Sequence, residues 1–372
     1  MRRQRAALER RGNIHPAMKN IIPSTTIGFD LGDKKHAICV LDQDGAIIDE
    51  RTITNHHESL RRLSIKYPKA RIALEVGSHS PWISRFLKEL DHEVLVANPR
   101  KLRAIYANNR KSDQNDARMI ARLARVDPEL LYPIEHGTEQ SQRDLLQIKL
   151  RDNLVRQRVD IISSVRFTLK SLGVALPSPN TECFAKRCRT LLHGGHAELL
   201  AMVEPSLQVV DLMTKNIREL DRAIEQLCAE KYPATTRLRQ ICGVGAITSL
   251  CYVLTIEDPE RFDSPRDVAA YLGLVPKRDQ SGNLDKQLRI SKAGDAYLRR
   301  LLVGAAQYIL GPFGPDSDLR RHGLELAARG GARAKKKAVV AIARKLAVLL
   351  LVLWKHPRDY EPLRQTPPPK AA

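Results

Sequence analysis

Short apolar runs separated by polar turns fill the first third of the chain. Thr25–Leu31 is a short run rich in β-branched and aromatic residues. Ala37–Leu41 and Ala46–Thr52 follow it, separated by the turn residues Asp42-Gln43-Asp44-Gly45. Runs of this length, bounded by Gly and Asp, predict three consecutive strands. His57–Lys66 then carries helical spacing, and Arg71–Val76 predicts a fourth strand. Pro81 opens a helix reaching Leu90, and Glu93–Ala97 predicts a fifth strand stopped by Asn98-Pro99. A last helix over Asp113–Arg125 has Ser112 as its N-cap. The order β-β-β-α-β-α-β-α predicts a mixed α/β domain over residues 24–137, behind a basic extension of residues 1–23.

After Thr138 the pattern becomes helical through residue 234. Val210, Met213, Ile217, Leu220, Ile224 and Leu227 alternate spacings of three and four, the a/d seam of a coiled coil. The seam is shorter than three heptads, so an intramolecular helical hairpin explains it equally. Gly173–Pro179, with two prolines, breaks the long helices. Residues 235–357 predict mainly short helices. Within them, Gly243-Val244-Gly245 reads either as a tight turn or as a helix-hairpin-helix turn whose backbone N–H groups face a phosphate. The Pro-rich residues 358–372 predict a disordered tail. Ala338–Trp354 is strongly apolar, but Arg344 and Lys345 sit near its middle. A membrane span needs about 20 apolar residues without central charge, so this run predicts a buried core helix and no membrane partner.

Charge sharpens the picture. Sixty-two Lys and Arg against 42 Asp and Glu give a net charge of +20, spread over the whole chain, and 43% hydrophobic content is enough for a real core. Such a charge makes a polyanion the natural partner. Predicted contacts fall in two segments: Lys277, Arg278, Lys286, Arg289 and Lys292, then Arg333, Lys335, Lys336 and Lys337. Six scattered cysteines form no disulfide framework, and residues 1–23 lack the apolar stretch of a signal peptide, so a bacterial cytoplasmic, nucleoid-associated location is expected.

Four acids stand out in this basic chain. Asp30 ends the first strand, Glu75 ends the fourth, and Asp113 and Asp116 open the last helix of the α/β domain, one turn apart on one face. Each has an ordinary explanation, as a strand-end turn residue or as an acid at the positive end of a helix. Together they form a set of hard oxygen ligands of the kind that holds paired Mg2+, or Mn2+, for phosphodiester cleavage.

The strand order with these acids resembles the RuvC/RNase H-like nuclease fold. Lys111-Ser-Asp-Gln-Asn-Asp-Ala-Arg118 is similar to the K-x-D-x-x-D-A-R motif of DEDD transposases. Ala269-Ala-Tyr-Leu-Gly-Leu-Val-Pro276, Gln280-Ser-Gly282, Ile290-Ser-Lys-Ala-Gly294 and Leu298-Arg-Arg-Leu301 resemble the C-terminal domain of the insertion-sequence transposases of the one-ten type, the bridge-RNA-guided recombinases. The resemblance spans about Thr25 to Pro357. It implies that Asp30, Glu75, Asp113 and Asp116 bind metal and that Ser281 attacks DNA to form a covalent link. It further implies donor and target DNA and a noncoding bridge RNA as partners, and a homo-oligomer (dimer or tetramer) whose subunits share active sites. Without the resemblance, Ser281 reads as an ordinary loop serine. The following Gly282-Asn-Leu-Asp-Lys286 departs from the Ser- or Gly-rich family pattern, so no role extends to Asn283 or Asp285.

Some features point elsewhere. Cys183, Cys188, His193 and His196 have compressed spacing for a zinc site. His36 reads as a polar turn residue, and Trp82 and Trp354 as core. Two other functions compete with a recombinase: a RuvC-like junction nuclease without serine chemistry, and a non-enzymatic nucleic-acid-binding protein.

Overall fold

The five predicted strands form one sheet. β1 (Thr25–Leu31), β2 (Lys35–Asp42) and β3 (Ile47–Thr54) run antiparallel as a meander. β4 (Arg71–Glu75) and β5 (Glu93–Ala97) add in parallel beside β1, giving the order β3-β2-β1-β4-β5. The Asp42 carboxylate accepts the N–H groups of Asp44 and Ala46, both at 2.9 Å, and so closes the β2–β3 turn. The structure, a computed structural model, describes residues 23–98, 102, 112–176, 180–281 and 284–364. Most of the basic N-terminal extension, Lys111, residues 177–179, Gly282, Asn283 and residues 365–372 of the Pro-rich tail lie outside the described residues. The chain divides into two compact units, one ending at Gly137 and one beginning at Thr138.

Alternation sorts the sheet's side chains by size. Ile27, Phe29, Ile38, Val40, Ile72 and Leu74 point to one face, where Leu60 and Leu63 of α1 (His57–Lys66) and Ile83 and Leu87 of α2 (Ser80–Glu89) cover them. Burial of each such side chain is worth about 1.5–3 kcal/mol. The opposite face carries smaller side chains at its centre, with Leu41 and Leu95 beside them. Ala37, Cys39 and Ala73 meet Ala117, Ile120, Ala121 and Ala124 of α3 (Asp113–Val126). Here the helix approaches closely: a Cβ on Gly28 would overlap the carbonyl of Ala117 and the backbone nitrogen of Ala121. Only glycine permits that approach. This unit is the expected mixed α/β domain, a five-stranded sheet covered by helices on both faces.

Among the described residues, the second unit is helical apart from one hairpin. α4 (Glu139–Ser171), α5 (Phe184–His193) and α6 (Ala197–Glu230) open it, followed by α7 (Ala234–Leu238), α8 (Ala246–Ile256) and α9 (Asp267–Tyr271). α10 (Ala296–Leu310), α11 (Asp318–Ala328) and α12 (Gly331–Lys355) complete it. Arg151 of α4 meets Asp221 of α6 at 2.8 Å. Seven residues later in α4, Arg158 meets Thr214 of α6 at 3.2 Å, so the two helices run antiparallel. Apolar clusters flank these polar rungs. Ile162, Val165 and Leu169 pack with Leu207, Val210 and Phe184 at one end. Ile148, Ile224 and Leu227 join the core of α7–α12 at the other. Of the predicted a/d seam, Val210, Ile217, Ile224 and Leu227 are buried, while Met213 and Leu220 are half-buried.

The Ala338–Trp354 run lies within α12. Ala338, Ile342, Leu346, Ala347, Leu350 and Leu351 are fully buried, and Arg344 and Lys345 are exposed. The fully buried Tyr252 of α8 donates its hydroxyl to the Ala347 carbonyl at 2.8 Å, satisfying a group whose isolation would cost about 1–3 kcal/mol. Among the described residues, no helix is long and apolar enough to cross a membrane. The expectation of mainly short helices in this region needs correction, since α10 and α12 are long and Pro276–Ile290 is a β-hairpin. β6 (Pro276–Ser281) pairs with β7 (Leu284–Ile290). Residues 276–280 are all exposed, so they lack the apolar alternation that marks a half-buried strand. Trp82 and Trp354 are half-buried at the rims of their cores.

Candidate active site

Register and alternation position the acids. Phe29 of β1 lies beside Leu74 of β4, so the next residues along each strand, Asp30 and Glu75, are also neighbours. Each is two residues beyond a small residue facing α3, Gly28 and Ala73 respectively. With period two, both acids belong to the α3 face. Both are half-buried.

α3 brings the other pair to the same end. Arg125, near the C-terminus of α3, donates to the Gln43 carbonyl in the β2–β3 turn, and Asp42 in that turn pairs with Thr25 at the start of β1. Arg71, at the start of β4, donates to the Ala124 carbonyl at 3.2 Å. The helix therefore runs opposite to β1 and β4. Its first turn, with Asp113 and Asp116, lies towards the strand ends that carry Asp30 and Glu75. Ser112 caps it by accepting the Asn115 N–H at 3.3 Å. Asp116 is buried and Asp113 exposed. The donor set is all carboxylate, which suits a hard divalent cation. The side chains themselves are not drawn into a ligand cluster: among the described residues, no group of three or more His, Cys, Asp or Glu is spaced to hold a metal ion.

The motif residue Arg118 had no assigned role, and the structure gives it one. Its guanidinium grips Glu50 of β3 in a forked pair at 2.9–3.2 Å, which raises the Arg118 pKa, first through the hydrogen bonds and then through charge. Together with Arg71 and Arg125, this pair fixes how α3 lies on the sheet. Nothing in the spacing of Glu50 marks it, because its partner is 68 residues away. Another pair occupies the turns just after the strand-end acids: His79 Nε2 lies 3.1 Å from Asp33, and the Trp82 indole N–H donates to His79 Nδ1 at 3.3 Å.

His36 needs correction. It is a strand residue of β2 rather than a turn residue, fully buried beside Phe29 at a ring separation of 6.2 Å. Its neighbour Ala37 belongs to the α3 face, so His36 lies on the opposite face from the acids. Burial pushes its pKa down.

Ser281 is the last residue of β6, opposite Leu284. Its side chain, like that of Lys286, lies outside the described residues. The base of this hairpin is built from the motif blocks noted in the sequence. The Ser291 N–H donates to Val275 and the Lys292 N–H to Gly273. Arg299 donates to the Leu272 carbonyl at 3.0 Å and to Ala293 at 2.6 Å. Gly294 has φ +65°, and a Cβ there would overlap the Tyr271 carbonyl. Thus separate motif segments converge on the root of the strand that ends at Ser281. Of the predicted cations, Lys277, Arg278, Arg289, Lys292, Arg333, Lys335, Lys336 and Lys337 are exposed. Of the cysteine and histidine set, Cys183 is exposed while Cys188 is buried in the α4–α6 core.

Comparison with known proteins covers both units. Residues 27–173 match a DEDD transposase family of the IS110 type, and residues 235–318 match the family described as Transposase IS116/IS110/IS902 family. The chain is 26% identical over 341 residues to the transposase for insertion sequence element IS1111A of Coxiella burnetii, covering 90% of each chain. It is 27% identical over 285 residues to the transposase for insertion sequence element IS1328 of Yersinia enterocolitica, covering 76% of this chain and 83% of that one. A pilin gene-inverting protein of Moraxella bovis is 23% identical over 354 residues, covering 91% of this chain and 98% of that one. A DEDD transposase domain implies use of a divalent metal. The chain is a member of the IS110 family of insertion-sequence transposases, enzymes that cleave DNA and transfer its strands.

Proposed function

We propose that this transposase cuts and rejoins insertion-sequence DNA with carboxylate-held divalent cations and a serine nucleophile, guided by a noncoding bridge RNA. Asp30, Glu75, Asp113 and Asp116 hold the ions, Mg2+ or Mn2+. Such ions supply charge stabilisation at the phosphoryl oxygens. The Ser281 Oγ attacks phosphorus, forming a serine–phosphate ester and breaking the bond to the departing strand's oxygen, which takes up the serine proton. Attack on that ester by the strand to be joined restores the free serine.

The observation that carries this reading is the course of α3 against β1 and β4, which gives two pairs of acids a common end of the sheet. The convergence of the motif segments on the root of β6 supports a special role for Ser281. The name of the Moraxella relative supports rejoining over cleavage alone, because inverting a gene requires new junctions. Donor and target DNA are the substrates. The half-buried Met213 and Leu220 on α6, with Leu212 57% exposed, support assembly as a dimer or tetramer with shared active sites. The Gly243-Val244-Gly245 turn before α8 and the cations from Lys277 to Lys292 and from Arg333 to Lys337 serve as nucleic-acid contacts.

The test is a denaturing gel of labelled DNA incubated with the purified enzyme and its RNA. Wild type leaves a protein-linked DNA band, and Ser281→Ala removes it. A Ser281→Ala variant that still cleaves as well as wild type would favour a junction nuclease acting without serine. Acid-to-alanine variants that retain full cleavage would leave only a binding protein.

A further inference from the structure

The second unit contains a cleft of about 2060 Å³ that the acids and Ser281 do not account for. One wall is α12, where Arg333, Lys337, Val340, Arg344 and Val348 recur at three- and four-residue spacing and so share one helix face. The opposite wall is the root of the β6–β7 hairpin, with Arg289, and the adjoining Lys292. The end of the described chain, from Arg358 to Arg364, forms a third side, tied down where the Asp318 N–H donates to the Pro362 carbonyl at 2.7 Å and the Tyr360 N–H to Gln240 at 2.7 Å. Leu274, Leu288, Leu349 and Val352 give it an apolar floor.

Eleven Lys and Arg line this cleft against four Asp and Glu. Like charges crowded into one concavity repel, and a polyanion relieves the repulsion while the concavity focuses its attraction. The same field acts on His322, which also lines the cleft: burial, then Lys345, lowers its pKa. A duplex turns its base faces inward and offers only phosphates and edges, so an apolar floor gains nothing from it. Unpaired bases can lie on such a floor while their phosphates meet the cationic rim.

We propose that this cleft binds a stretch of unpaired DNA, held by phosphate contacts to Lys337, Arg344 and Arg289 and by base contacts to the Leu288 and Leu349 floor. Strand exchange must part DNA strands, and the cleft gives a parted strand a resting place at the root of the hairpin that ends in Ser281. The proposal rests on the recombinase reading, but its test is binding, so the two fail separately. It also divides the exposed cations of α12. Lys336 and Lys337 line the cleft, and Lys335, one residue away, does not.

The experiment is fluorescence anisotropy on the full chain with labelled oligo(dT) and oligo(U) of about 12 nucleotides and a duplex of the same length. The double variant Lys337→Ala/Arg344→Ala should weaken oligo(dT) binding about tenfold and reduce the slope of log affinity against log salt by about 1.4, two contacts at roughly 0.7 each. Lys186→Ala, an exposed cation of α5 outside the cleft, should bind as wild type. Leu288→Ser, at an exposed position, should weaken oligo(dT) about threefold and leave the duplex unchanged. The proposal is overturned if Lys186→Ala matches the double variant, or if the duplex loses as much as oligo(dT) in every variant. It is also overturned if oligo(U) is preferred through the same residues, or if poly-glutamate competes as well as oligo(dT).

Discussion

In the sheet unit, Asp30 and Glu75 end strands that are covered on both faces. In the helical unit, Ser281 ends a strand whose preceding residues are all exposed. The acids inherit their positions from a packed frame: large apolar residues on one side, smaller ones at the centre of the other, and α3 clamped by Arg71, Arg118 and Arg125. The serine inherits its position from the root of a hairpin, through a few backbone contacts and Arg299. One group depends on a core, the other on a hinge-like base. Substitutions far from either group should therefore act by different routes.

The largest expected effect separates chemistry from frame. Asp30→Ala or Asp113→Ala should lower DNA cleavage on the order of a thousandfold, with affinity unchanged in a gel-shift assay because binding rests on Lys and Arg contacts. Cleavage within tenfold of wild type would break the comparison at its root. Next comes Gly28→Val, which drives a branched side chain into the α3 backbone. It should cost about 3 kcal/mol or more and strip hydrogen-exchange protection from β1 and α3. Gly294→Ala should cost about 2 kcal/mol from the positive φ and the Tyr271 overlap. The same exchange experiment should show protection lost at β6–β7 and unchanged in β1. Loss in both units from either variant would show that the two frames are not independent.

Acid sharpens the contrast further. In the sheet unit His36, His92 and His136 all have lowered pKa values, in each case through burial first. They are neutral when folded and take up a proton more readily when unfolded, near the ordinary value of about 6.5. Their contribution is present above about pH 6.5 and is lost as pH falls through the lowered folded values. Hydrogen exchange between pH 7.5 and pH 5 should show, after correction for intrinsic rates, the sheet unit weakening more than α8 and α12. The smallest effect is Arg118→Lys, which breaks the forked grip on Glu50. This pair is partly exposed, so stability should change little, with a measurable drop in cleavage from a displaced Asp113–Asp116 turn.

The same contrast explains what could be read from the chain. Short apolar runs bounded by turn residues, such as Ile27–Phe29 and Ala37–Leu41, declare themselves as strands buried on both faces. A capped helix such as the one after Ser112 declares both its start and its face. The placement of Asp30, Glu75, Asp113 and Asp116 towards the ends of such elements was legible for the same reason. The β6–β7 hairpin was not legible, because residues 276–280 are all exposed and no apolar alternation marks them. Glu50 and the Asp33–His79 pair were also hidden, since each needs a partner brought near only by folding. His36 misled because its polarity suggested a turn, while burial beside Phe29 decided its place.

The antiparallel rods α4 and α6 carry one more consequence. Each is more than 30 residues long, about 50 Å at 1.5 Å per residue, with a greasy knot at either end and rungs of Arg151–Asp221 and Arg158–Thr214 between. Such a rod is a ruler. Excising one heptad from both helices between the knots would shorten the reach by about 10 Å and leave each knot tied, turning molecular distance into something an experimenter can dial.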